Sequence, residues 1–103
     1  PQWAEISEQY RAEKNWRCEH CGVDLHARRA LLHVHHLNRD PSDHSRRNLR
    51  ALCVDCHSKQ GGHEAMYVSK ETKRTLAHLR NEQNISASIA RRSSALAASP
   101  MRR

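Results

Sequence analysis

Two C-x-x-C pairs, Cys18-Glu19-His20-Cys21 and Cys53-Val54-Asp55-Cys56, stand with 31 residues between them, and they limit how this chain can fold more than any other feature. Four thiolates in this pattern supply the tetrahedral set that zinc prefers, at about 2.3 Å per sulfur. Gly22, one residue past the second cysteine, suits the tight turn such a knuckle needs. A closed four-sulfur site has no position open for water, so this zinc would fold the chain and catalyse nothing. Other uses of the thiols fit less well. Disulfides or a redox dithiol run against the reducing setting that the rest of the sequence suggests. Cys53-Val54-Asp55-Cys56-His57 matches the C-x-x-C-H pattern of haem attachment in form, but that use leaves Cys18 and Cys21 without a role. It also asks for an apolar pocket that a chain with no Phe cannot readily build.

The zinc answers a need. At 103 residues and 37% hydrophobic, the chain is one small domain with a thin core, the kind that recruits a metal or disulfides. Eighteen Lys and Arg against eleven Asp and Glu give a formal charge of +7, which attracts polyanions, nucleic acid first among them. No apolar run is long enough for a membrane span and no secretory leader is evident, so no membrane partner and a cytoplasmic setting are expected. The start at Pro1 rather than Met suggests a piece of a longer parent.

Along the chain, Trp3, Ile6 and Tyr10 fall at helical spacing and predict an amphipathic lead helix over 3–14. Residues 31–36 (LLHVHH) alternate as a strand, with Leu31, His33 and His35 on one side and Leu32, Val34 and His36 on the other. Residues 38–47 are polar and read as an exposed loop, after which Arg50 to Leu52 form a return strand into the second cysteine pair. A short helix over 54–60 ends at Gly61-Gly62, and a longer one over 63–84 has Met66, Leu76 and Leu79 as candidate buried positions. From residue 85 to 103 the chain turns to Ser, Ala and Arg, with no acid after Glu82, and reads as a basic, flexible tail.

Cys18-x-x-Cys21, Leu32-x-Val34-His35-His36 and Asn48-Leu49-x-x-Leu52-Cys53-x-x-Cys56-His57 together resemble the four-cysteine branch of the HNH endonucleases. The match covers roughly residues 16–60. It implies a small α+β fold with flanking helices, a zinc-stapled ββα-metal (treble-clef, His-Me finger) nuclease domain over 1–84. By the same resemblance His36 is the general base, and His35 and His57 hold one catalytic divalent metal. Asn48 orients His36 or pins the loop between the strands. The chemistry suits these residue types: phosphodiester hydrolysis needs water deprotonated near neutral pH, and an imidazole with a pKa of about 6.5 can do that. His35 stands where the commonest family form has aspartate. Two imidazoles make a softer site, so Mn²⁺, Ni²⁺, Co²⁺ or Zn²⁺ is favoured over Mg²⁺.

His63 follows His57 by six residues and is a further candidate near the metal or a phosphate, and His33, on the face of His35, is a weaker one. For His20, His26, His44 and His78 solvent exposure is the better expectation. Arg39, Arg46, Arg47, Arg50 and Lys59 cluster around the motif and suit contacts to phosphates of double-stranded DNA, giving affinity with little sequence information. Sequence preference would then come from further domains or a homodimer, and a monomer with one active site should nick. The main alternative is a non-catalytic zinc module that binds DNA or protein. An RNA-directed treble clef ranks below it, because two Trp and two Tyr offer little stacking platform.

Overall fold

Helix α1 (Gln2–Glu13) opens the chain in a computed structural model that describes residues 2–61 and 66–85. Its apolar stripe is the expected one, with Tyr10 buried and Trp3 and Ile6 packed partly against the core. Beyond the helix, Asn15 and Trp16 turn the chain through left-handed backbone, at φ 58° and 56°. That conformation is strained for a tryptophan. Burial of its ring between the guanidinium groups of Arg11 and Arg29, 5.0 and 4.2 Å from the ring centre, offsets the strain.

The first cysteine pair closes as a tight turn. Gly22 N–H donates to the Cys18 carbonyl at 2.9 Å and Cys18 N–H to the Val23 carbonyl at 3.0 Å. Gly22 sits at φ 85°, which a side chain would resist, so the glycine is required here.

After a 3-10 segment over His26–Leu31, strand β1 (Leu32–His36) pairs antiparallel with β2 (Leu49–Cys53), with Leu32 opposite Cys53 and His36 opposite Leu49. The return strand is thus one residue longer at each end than the sequence indicated. A lone two-stranded hairpin is marginal in water, so this one depends on its cover. Helix α1 packs on β1, and α2 (Val54–Ser58), which follows β2 without a break, folds back against both strands. Cys53 ends β2 and caps α2, its Sγ accepting the Cys56 N–H at 3.4 Å. Tyr10, Val23, Leu25, Leu32, Leu49 and Leu76 form the core together with all four cysteines, so the sulfur cluster is part of the core.

Helix α3 spans Lys70–Glu82 rather than 63–84. Residues 66–69 are not helical, and Ser69, at φ −66° and ψ 157°, caps the helix by accepting the Thr72 N–H at 3.0 Å. The apolar spacing of Met66 with Leu76 extended the expected helix past this cap. At the other end Asn84 is left-handed at φ 64° and Ile85 N–H reaches back to the Arg80 carbonyl at 2.7 Å, a stop that the sequence located well. Leu76 is fully buried and Leu79 packs beside it. Of the expected tail, 86–103 lies outside the described residues, as does His63. No described helix is long and apolar enough to cross a membrane.

Candidate metal centre and histidine site

Cys18, Cys21, Cys53 and Cys56 are all buried, none is in a disulfide, and their sulfurs lie within 4.8 Å of one another. A zinc tetrahedron with bonds of about 2.3 Å has sulfurs about 3.8 Å apart. Cys21 and Cys53 are already at 4.0 Å. Backbone N–H groups of His20 and Cys21 point at the Cys18 sulfur and that of Cys56 at the Cys53 sulfur, each at 3.4 Å, which favours thiolates. The four sulfurs fit a zinc ion by themselves, so His57 is not needed to complete the set. Proton affinities within the cluster diverge. Hydrogen bonds from Cys18, Cys53 and Cys56, and then the Arg80 charge, pull Cys21 down, while hydrogen bonds with Cys18 and Cys21 push Cys53 and Cys56 up. Thiolates this close repel one another, and a cation among them offsets that charge.

Arg80 of α3 supplies part of that offset, and nothing in the spacing of the sequence pointed to it. Its guanidinium lies 3.4 Å from the Cys21 sulfur, 3.3 Å from Cys53 and 3.7 Å from Cys56, and it also pairs with Asp55 at 3.3 Å. Arg80 and Asp55 are 15% and 13% exposed at the side chain, so solvent screens the pair little. Gln83 holds the same helix to the first knuckle, donating to the Asp24 carbonyl at 3.0 Å and accepting the Asp24 N–H at 2.7 Å. Zinc with four thiolates carries roughly two net negative charges, and a planar guanidinium is suited to neutralise and orient them. Arg80→Met, which keeps the apolar stem, is expected to weaken zinc binding about 10- to 100-fold in competition with a chromophoric chelator. Arg80→Lys should recover little of this, since one ammonium cannot span three sulfurs and a carboxylate. Unchanged affinity in both variants would show Arg80 to be packing alone.

The histidines of β1 divide between two sides, as the alternation indicated. His35 faces α2, where its ring centre is 5.1 Å from that of His57, and both residues are buried. His33, on the same face, lies with its Nδ1 3.0 Å from His57 Nδ1. The sequence ranked His33 low because strand spacing cannot tell which same-face histidine meets a helix 24 residues away. His36 turns the other way, its ring centre 4.7 Å from that of Trp3 and its Nε2 3.2 Å from His44 Nδ1. Burial, and then the neighbouring His44, hold the His36 imidazole below the usual histidine value, with Asp40 and Asp43 opposing. A histidine so placed is neutral near pH 7 and can accept a proton. His33 is likewise lowered by burial and then by Arg11.

His44 and His33 are half-buried and partnered, against the expectation of exposure for the first. His26 and His78 are exposed, paired with Asp24 at 2.9 Å and Glu82 at 3.1 Å, and His20 is half-buried.

Asn48 is buried and pins the loop between the strands. Its Nδ2 donates to the Asp43 carbonyl at 2.8 Å and to Asn38 Oδ1 at 3.0 Å, and its Oδ1 accepts the Asn38 N–H at 3.0 Å. Among the basic residues, Arg46 grips Glu13 of α1 through two bonds of 3.0 and 2.8 Å, and Lys59 approaches Asp55 at 3.5 Å. Arg39, Arg47 and Arg50 are exposed. Arg50 lies opposite His35 in the sheet register, and the Arg39 side chain reaches Gly61 in the turn beyond α2.

The arrangement defines a small α+β protein with a two-stranded antiparallel sheet and a buried cluster of four cysteines that could hold a metal ion. No family model matches the chain, and no solved structure matches it. The chain is similar to the Zorya protein ZorE of Escherichia coli, at 40% identity over 83 residues. That alignment takes in 81% of this chain, which spans 23% of the length of ZorE.

Proposed function

We propose that this chain is a metal-dependent DNA endonuclease unit of the HNH type, with a ββα-metal nuclease over residues 1–84 and a basic tail over 85–103. The carrying observation is the set of three histidines on a strand–strand–helix unit. His35 and His57 stand 5.1 Å apart between β1 and α2, while His36, the next residue along, faces the opposite way beside Trp3. The 40% identity to ZorE over 81% of this chain, which spans 23% of that protein's length, is consistent with a unit that also occurs as part of longer proteins; a cytoplasmic setting is part of the proposal.

In this reading His35 and His57 hold a divalent ion, and His33 fixes the orientation of the His57 ring. When bound, that ion relieves charge on the phosphate and stabilises the leaving oxygen. With two imidazoles as ligands, Mn²⁺, Ni²⁺, Co²⁺ or Zn²⁺ suits the site better than Mg²⁺. His36 takes a proton from the attacking water, whose oxygen bonds to phosphorus as the bond to the leaving sugar oxygen breaks. Asn48 holds the loop over this histidine. Arg39, Arg47 and Arg50 neutralise flanking phosphates of double-stranded DNA. Arg46 and Lys59, already engaged by carboxylates, contribute less. One chain has one such site, so a double-strand break needs a second copy or a further domain.

The test is cleavage of supercoiled plasmid by the zinc-loaded chain across Mg²⁺, Mn²⁺, Ni²⁺, Co²⁺ and Zn²⁺. Each reaction is repeated with EDTA, and retention of the structural zinc is checked afterwards. Nicked circles that appear with one of these metals and vanish with EDTA are expected. A chain that binds plasmid yet leaves it, single-stranded DNA and RNA uncut under every metal is instead a zinc-stapled binding module.

A further inference from the structure

On the side of β1 away from His35, three rings from separate parts of the chain pack together: Trp3 of α1, His36 at the end of β1, and His44 in the loop between the strands. The Trp3 ring stacks on His44 with centres 4.8 Å apart and planes 22° from parallel, and lies against His36 at 37°. The two imidazole centres are 5.4 Å apart, with His44 Nδ1 3.2 Å from His36 Nε2. His44 is half-buried despite its polar surroundings. Its position is fixed on both sides. Asn48 Nδ2 holds the carbonyl of Asp43, the residue before it, at 2.8 Å, and Ser45, the residue after it, bonds Asp43 Oδ1 through N–H at 3.2 Å and hydroxyl at 2.8 Å.

We infer that His44 is a positioning residue for the general base: its Nδ1 holds His36 Nε2, Trp3 clamps both rings, and Asn48 sets His44 in place through the Asp43 carbonyl. This rests on the nuclease reading above. A neutral imidazole has one N–H and one lone-pair nitrogen. To accept a proton from water at Nδ1, His36 must carry its own hydrogen on Nε2. With His44 carrying its own hydrogen on Nε2, its Nδ1 accepts that hydrogen and holds His36 in the tautomer that leaves Nδ1 basic. In the opposite tautomer the His36 lone pair points at His44, and the nitrogen toward water is already protonated. Among the described residues Nδ1 of His36 has no hydrogen-bond partner, which makes it the nitrogen left for water. Asn48 thereby acts on the base at one remove: it pins the loop, and the loop delivers His44.

The experiment compares wild type with His44→Ala, His44→Asn and His44→Gln, each zinc-loaded, in plasmid nicking over a range of DNA concentrations. Asparagine carries its amide oxygen about as far from the backbone as histidine carries Nδ1, whereas glutamine reaches to the Nε2 position. His44→Ala should lower kcat about 10- to 100-fold with KM for DNA nearly unchanged. His44→Asn should recover most of the loss and His44→Gln little, at similar melting temperatures. A long-range ¹H–¹⁵N spectrum of the imidazoles supplies a readout independent of cleavage: His36 should be the Nε2–H tautomer in wild type and a mixture in His44→Ala. If wild type nicks and His44→Ala nicks equally well, or His36 keeps one tautomer without His44, the role of His44 is wrong and the nuclease reading stands. If wild type cuts nothing, both fall together.

Discussion

Stripping zinc from this chain, or replacing Cys53 with serine, is expected to abolish its cooperative thermal unfolding and leave little ordered structure at 25 °C. Four of the thirteen buried apolar residues of the described core are the cysteines themselves. There is no Phe to fill space in their absence. Helices α2 and α3 are both tied to the sulfurs, α2 through the Cys53 cap and α3 through Arg80. Structural zinc in small domains contributes about 10–16 kcal/mol near neutral pH, whereas a whole domain has about 5–15 kcal/mol of net stability. A loss of that size matches or exceeds the whole net stability of such a domain, so the fold is not expected to survive it, and Arg80 is left facing thiols instead of thiolates. The check is far-ultraviolet circular dichroism with a thermal melt, under reducing conditions, on holo protein, chelator-treated protein and Cys53→Ser. A cooperative melt in metal-free protein would mean that Tyr10, Leu25, Leu32, Leu49 and Leu76 suffice as a core, and that the sulfurs are fill rather than frame.

Where the sequence could be read, local rules governed the outcome. Cysteine spacing placed the sulfurs of each pair together because a C-x-x-C turn has few ways to fold, and the tetrahedral demand of zinc for four sulfurs brought the two pairs to one site. Strand alternation separated His35 from His36 because side chains on a strand must alternate. The features that escaped depend on residues far apart in the chain. Arg80 meets Cys21 across 59 positions, Arg46 meets Glu13 across 33, and His33 meets His57 across 24. Arg46 looked like a phosphate contact for want of a visible partner, and the carboxylate that holds it is on the lead helix. His44, in a loop of Asp, Ser and Asn, has the local signature of a solvated residue. It is half-buried because α1 brings Trp3 over it, which nothing within residues 38–47 announces. The start of α3 failed for a different reason: Ser69 is a capping residue, but the apolar spacing running through Met66 outweighed it.

His36→Ala is expected to lower plasmid nicking by about 10²–10⁴-fold, the usual contribution of a general base, while retaining zinc, fold and DNA binding. The expectation of an intact fold follows from where His36 lies. It is the last residue of β1, half-buried, and its contacts are the rings of Trp3 and His44 rather than the core beneath the sheet. Truncation there leaves the backbone pairing with Leu49 in place and should shift stability by about 1 kcal/mol or less. His57→Ala gives the contrasting case. That residue is buried between α2 and β1, next to His33 and His35, so its loss should remove metal-dependent turnover and also lower the melting temperature. The two variants thus separate chemistry from architecture. Inactivity of His36→Ala with an unchanged melt and unchanged zinc content assigns proton abstraction to that imidazole. Full nicking by His36→Ala would remove the base from β1 altogether, and the ring cluster with Trp3 and His44 would then be a brace between α1 and the inter-strand loop.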